Sequence, residues 1–214
     1  MPAQASESLV LRTYPLREGD LIVSFFTRED GKLRGVARAA RKPKNQFGAG
    51  LERLSHVNMA YTQRENRELA SLIRSEIIET QFGVVSDYGA CIALDYVAEV
   101  SENLLPPGEP NELFFRLLLA VLSHLRRDPA AGVWPAVNYF SLWAVRLSGF
   151  LGELRVSAES RRLAEEMMQT PIGQLQAREW TVKTGADLRR VLIRAMQDHI
   201  ERRLQSVPLL ESIS

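Results

Sequence analysis

Cysteine is nearly absent: Cys91 is the one thiol among 214 residues. No disulfide can close within the chain, and no zinc site can be built from its thiolates. Such sparing use suits a reducing cytoplasm. Histidine is also scarce. His56, His124 and His199 lie far apart and none pairs with another at i, i+4, so each reads as a surface or interface residue, and neither a metal nor a cofactor is expected. No run of eighteen apolar residues occurs, so no apolar spanning helix and no membrane partner are expected. The opening MPAQASESLVLRTY lacks a charged start followed by an apolar core, so no secretory signal is expected.

Catalytic signatures are missing too. There is no GxxxxGK[ST] phosphate loop, no HExxH, and no paired acidic motif of a two-metal nuclease. The GAG at 48–50 lacks a strand-to-helix context. Binding without turnover is the better class, and the chain is not expected to be an enzyme.

What is present is ordinary in bulk, 45% apolar and 25% charged with a net charge of +1, but uneven in detail. Residues 1–80 hold 13 basic and 10 acidic side chains, residues 81–153 hold 4 and 8, and residues 154–214 hold 10 and 8. An acidic middle between basic ends suggests modules with different tasks. The sharpest concentration is KLRGVARAARKPKNQF, residues 32–47. It carries six cations (Lys32, Arg34, Arg38, Arg41, Lys42, Lys44) and no acid. A patch of this kind can neutralise a polyanion and release its counterions. A solvated edge strand that uses cations against aggregation is the plainer alternative, but solvated faces normally mix signs.

Glu29-Asp30-Gly31 reads as a tight turn, with glycine supplying positive φ. Beyond it, Lys32, Arg34, Val36 and Arg38 alternate with Leu33, Gly35, Ala37 and Ala39, giving a strand over 32–40 with one cationic and one apolar face. Arg41-Lys42-Pro43-Lys44 leaves as a basic loop, because Pro43 cannot donate to a ladder. Further strands are expected at 8–14, 21–28, 56–64 and 68–78. In the fourth, Val57, Met59 and Tyr61 share a side; in the fifth, Leu69, Ile73 and Ile77 alternate, an alternation broken by Ser71 and Ser75. Five short strands fit a small closed barrel, either an OB-fold or an SH3-like barrel.

From about residue 83 the period becomes helical. Ser86-Asp87 can cap a helix carrying Tyr88, Ile92, Tyr96, Val100 and Leu104, which Pro106-Pro107-Gly108 stops. Asn111 can cap a second with a wide Leu-rich stripe. A third runs from about Val133 to Gly149, and a fourth spans about 158–169. Residues 171–183 look irregular, with room for a short β pair. Thr184 and Asp187 resemble a capping box opening a last helix to about 204, with Leu188, Val191, Leu192, Ala195, Ile200 and Leu204 buried. The expected architecture is α+β in two domains: a five-stranded barrel over 1–80 and an all-α domain over 81–214.

Three stretches resemble the RecO family of bacterial recombination mediators in order and spacing. They are LVLRTYPLREGDLIVSFFTREDGKLRGVARAARKPKNQFGAGLERL (9–54), LLPPGEPNELFFRLLLAVL (104–122) and LRRVLIRAMQDHIERRLQSVPLLESI (188–213). The first is the specific one. The resemblance implies an N-terminal OB-fold and a helical domain. It implies binding of single- and double-stranded DNA, annealing of complementary strands, and help in loading the recombinase onto DNA coated by single-strand-binding protein. RecR and the acidic C-terminal tail of single-strand-binding protein are the implied protein partners, and a DNA partner would place the protein at the nucleoid. Many members carry a four-cysteine zinc module after the segment matching Phe150–Leu154; here GFLGELRVSAES passes onward without a cysteine.

Candidate DNA-binding residues are therefore Lys32, Arg34, Arg38, Arg41, Lys42 and Lys44. Among the aromatics of residues 1–80 (Tyr14, Phe25, Phe26, Phe47, Tyr61), Phe25 and Phe26 read as core and Phe47 is the best base-stacking candidate. Arg190 and Arg194, neighbours at helical spacing within the set Arg189, Arg190, Arg194, Arg202 and Arg203, could extend the DNA path or simply face solvent beside Asp187, Asp198 and Glu201. For the tail of the single-strand-binding protein, Arg126, Arg127 and Arg146 stand beside apolar stripes. Two other classes compete: an RNA- or ribosome-associated OB protein, which would use 2′-hydroxyl contacts, and an adaptor whose basic strand meets an acidic protein.

Overall fold

The computed structural model describes residues 3–63 and 67–213. The expected end of the fourth strand at Arg64, and most of the turn expected over 65–67, lie outside the described residues. The chain divides into two compact units: Met1–Phe82 with Leu105–Phe115, and Gly83–Leu104 with Arg116–Ser214.

The first unit is a closed barrel of β1 (Gln4–Pro15), β2 (Leu21–Thr27), β3 (Gly31–Ala37), β4 (His56–Thr62) and β5 (Ala70–Glu79), in the order β1-β2-β3-β5-β4. β1 pairs with both β2 and β4, and β3 meets β5 in a short parallel ladder, Gly35–Ala37 against Ala70–Leu72. This is the five-stranded Greek-key closure of an OB-fold. Val10, Val23, Phe25, Ala37, Val57, Met59, Tyr61 and Leu72 fill it. Tyr61 packs edge-on to Phe25, with centroids 5.6 Å apart, and its hydroxyl donates to Asp30 Oδ2 at 2.5 Å. Burial and that carboxylate together push the phenol pKa up.

β3 keeps the expected alternation over its length: Gly35 and Ala37 are buried, while Arg34 is exposed. It ends at Ala37, so Arg38 belongs to the following turn rather than to the strand. β5 departs from expectation. Ala70 and Leu72 point into the core, whereas Ile73 and Ile77 are 37% and 48% exposed. Its register against β4 slips at two places, between Ala60 and Tyr61 and between His56 and Val57, and each slip resets the inward parity.

Residues 105–115 fold onto this unit. Phe26 projects away from the barrel core onto Phe114 and Phe115, with centroids 6.2 and 5.7 Å away. Arg28 donates to Glu7 Oε2 at 2.5 Å and to Glu112 Oε1 at 2.7 Å, which together raise its already high pKa. Gly31 adopts φ 73°, and a Cβ there would fall 2.4 Å from the Glu109 backbone. Gly108 N donates to Lys32 O at 2.9 Å.

The second unit contains α1 (Tyr88–Leu104), most of α2 (Glu112–Arg127), α3 (Val133–Leu147), α4 (Ala158–Gln169), α5 (Ala186–His199) and α6 (Val207–Glu211). Asp87 Oδ1 accepts from Ala90 N and Asn111 Oδ1 from Phe114 N, so both caps form as expected. Tyr88, expected in the apolar repeat of α1, is 67% exposed, and Leu113 at the start of α2 is 59% exposed. Residues 171–183 contain one 3-10 turn and no strand. The expected Thr184–Asp187 capping box is replaced. Gly185, at φ 64°, enters α5, and Asp187 turns back to accept from Ser157 N at 2.7 Å and from Ser160 Oγ. α5 stops at His199, short of the expected 204. No described helix is long and apolar enough to cross a membrane.

Candidate nucleic-acid interface

The cationic face of the barrel is set by register. Cross-strand partners share a face, so the row Arg12–Ser24–Arg34 and the next row Tyr14–Ile22–Val36 lie on one side of β1, β2 and β3. Arg12 joins this face through a bulge. Up to Val10, which pairs with Phe25, even-numbered residues of β1 point inward. The register then shifts between Val10 and Arg12, so that Arg12 faces outward and Thr13 pairs with inward Val23. The guanidinium carbons of Arg12 and Arg34 lie 5.1 and 5.3 Å from the centroid of the Tyr14 ring.

Loop contacts place further cations at the end of the same strands. Asp20 Oδ1 accepts from Ala39 N at 2.8 Å, and Arg41 N donates to Gly19 O at 3.1 Å. These bonds lay the 16–20 turn against residues 39–41. Lys42 Cε stands 3.3 Å from where a Gly19 Cβ would be. Asn45 orders the rest: its side chain donates to Lys42 O and accepts from Phe47 N and Gly48 N. Lys44 takes a left-handed φ of 59°. Arg12, Arg17, Arg34, Arg38, Arg41, Lys42 and Lys44 are all exposed, and among the described residues none of them makes an ion pair with an acid.

Lys32 stands apart from this group. It pairs with Phe26, is half-buried, and its strand position is bridged by Pro107. Phe47 is corrected outright. It is 4% exposed and belongs to the barrel core, because the 3-10 turn at Gly48–Leu51 folds its ring inward; no base can stack on it. Its backbone carbonyl accepts from Ser75 Oγ at 3.0 Å. Arg12 and Arg17 escaped the sequence reading. The bulge hides Arg12, whereas Arg17 could have been found from the turn it occupies.

In the helical unit, Arg190 and Arg194 lie on the solvent side of α5. Arg190 Nε reaches back to Ala186 O at 3.2 Å, and Arg194 approaches Asp198 at 3.9 Å. Arg189 is different in kind. It is 6% exposed and donates to Val182 O, Asn138 Oδ1 and Thr184 O. Burial draws its pKa down, and its role is internal. Arg202 donates to Asn103 Oδ1 at 3.2 Å.

The three arginines considered for a protein tail do not converge. Arg126 and Arg127 end α2, and Arg127 leans on Gly173, with Nη2 2.8 Å from a would-be Cβ. Arg146 lies over the Trp143 ring at 4.9 Å, thirteen residues into α3 and so about 20 Å along its axis from the α2–α3 connection. Among the described residues, no group of three or more histidine, cysteine or acidic side chains is placed to hold a metal.

Comparison with known proteins agrees with this geometry. The family model "Recombination protein O N terminal" matches residues 1–81, and "Recombination protein O C terminal" matches residues 85–155. The DNA repair protein RecO of Koribacter versatilis is 38% identical, over 97% of this chain and 98% of its own length. That of Bifidobacterium longum subsp. infantis is 28% identical over 99% and 100%. That of Geobacter metallireducens is 31% identical over 69% of this chain and 61% of its own. An OB barrel with a cationic face, a helical unit and these matches lead to one conclusion: the chain belongs to the RecO family of DNA repair and recombination proteins.

Proposed function

We propose that this protein binds single- and double-stranded DNA through the exposed cations of the barrel, anneals complementary strands, and helps load the recombinase onto DNA coated by single-strand-binding protein. The observation that carries the reading is the cluster Arg34, Arg38, Arg41, Lys42 and Lys44, exposed and, among the described residues, without acidic partners in ion pairs. Arginine forks and lysine point charges suit phosphate oxygens. The grip is mostly electrostatic, so base edges stay free to pair, as annealing needs. The protein acts by binding, without turnover, at the nucleoid. Arg190 and Arg194 on α5 offer a second basic region. RecR and the acidic C-terminal tail of single-strand-binding protein are the proposed protein partners. Arg126 and Arg127, and separately Arg146, are the candidate contacts for the tail.

The test is annealing of complementary strands coated with single-strand-binding protein, with binding measured across salt. Four to six phosphate contacts predict a slope of about −3 to −4 in log K against log salt for single strands. A flat salt response, or no acceleration of annealing, would count against the reading.

A further inference from the structure

The cations alone do not explain the arrangement around Tyr14. Two guanidinium groups from different strands, Arg12 on β1 and Arg34 on β3, converge on one ring at 5.1 and 5.3 Å, and among the described residues no carboxylate offsets either of them in an ion pair. The β1 bulge brings Arg12 to this face; without it the side chain would point into the barrel. Of the aromatic residues on the five strands, Phe25, Phe26 and Tyr61 are at most 1% exposed, while Tyr14 reaches the surface. Its ring lies in the row adjoining the 16–20 and 38–45 loops, where the remaining exposed cations stand.

We propose that Arg12, Tyr14 and Arg34 form a stacking site for one unpaired nucleobase of single-stranded DNA. This rests on the DNA-binding reading above. Guanidinium planes and aromatic rings both stack on bases, and a guanidinium held by a ring keeps its N–H fork free for the flanking phosphates. The site therefore supplies what the loop cations lack: a preference for a base over a bare backbone. One such site along the strand marks register without hiding a run of pairing edges. A duplex, whose bases are already stacked, cannot use it.

The experiment compares an oligo-dT strand with an abasic strand of equal length and phosphate count. The wild-type protein should bind oligo-dT more tightly, Tyr14→Ala should lose about tenfold on oligo-dT and little on the abasic strand, and Tyr14→Phe should keep the difference. The salt slope should be the same for all three proteins. Tyr14→Leu, which retains apolar bulk without a ring, should behave as Tyr14→Ala, and thermal melts confirm that each variant is folded. Equal wild-type binding to the two strands, an intact preference in Tyr14→Ala and Tyr14→Leu, or an equal loss on both strands overturns the stacking site while leaving the phosphate grip standing. Failure of the wild-type protein to bind either strand removes the DNA-binding reading itself, and this site with it.

Discussion

The guanidinium of Arg189 lies over the indole of Trp134, 4.5 Å from the ring centroid. Its remaining surface is closed by the carbonyls of Val182 and Thr184 and by Asn138. Next to it in sequence, Arg190 faces solvent. Adjacent arginines thus have opposite tasks. Arg189→Ala strips donors from the part-buried carbonyls of Val182 and Thr184 and leaves a cavity beside Trp134, so it should cost about 2–4 kcal/mol of stability. Arg190→Ala should change stability by less than about 0.5 kcal/mol. Chemical denaturation of the two variants checks this; equal melting behaviour would remove the internal role assigned to Arg189.

A second contrast separates core from contact in the basic segment. Phe47→Ala empties a buried position of the barrel and should destabilise it by about 3–5 kcal/mol. The double variant Arg38→Ala, Arg41→Ala removes two exposed cations. It should melt like the wild type but bind single strands more weakly, with a salt slope shallower by about 1.4. Melting curves and titrations at several salt concentrations distinguish the two. A folded Phe47→Ala variant with wild-type stability would contradict its placement in the core.

Gly31 joins two conditions that alanine cannot meet, a φ of 73° and a Glu109 backbone 2.4 Å from any Cβ. Gly31→Ala should cost at least about 2 kcal/mol, from left-handed strain plus displacement of the 105–115 segment. Hydrogen exchange localises the effect: the Gly108 amide, which donates to Lys32 O, should exchange faster while amides of the β1–β4 ladder change least. Unchanged protection at Gly108 would refute it.

How legible these features were depended on whether the signal was local. Asp87 and Asn111 announced their helices because a cap is a side chain beside its own helix start. The alternation of Lys32 to Ala37 held because β3 carries no bulge against β2. β1 and β5 contain register slips. A single extra residue has no compositional mark, so the outward turn of Arg12 and the inward positions of Ala70 and Leu72 were hidden. Phe47 looked exposed because its sequence neighbours are cations; the turn after it decides otherwise. That 105–115 packs on the barrel unit is a non-local fact, carried by Phe26, Arg28 and Gly31 together.

Asp187 gives the helical unit a predictable acid response. Burial opposes its charge, but hydrogen bonds from Ser160 Oγ, Ser157 N and Leu188 N outweigh that and hold its carboxyl well below the usual carboxylate range. A carboxyl whose pKa is depressed in the folded state stabilises the fold fully above its unfolded value, near 4, and loses that contribution as pH falls through the folded value. Asp187→Asn keeps the shape but loses the charge. It should cost about 1–2 kcal/mol at pH 7, by analogy with charged hydrogen bonds and helix-start carboxylates. The deficit should shrink steadily below pH 4, because the wild-type carboxyl is then giving up its own advantage. Denaturation midpoints of the two proteins from pH 7 to pH 2 check the sign. A gap that stays constant or widens on acidification would mean that the charge of Asp187 does not support the fold.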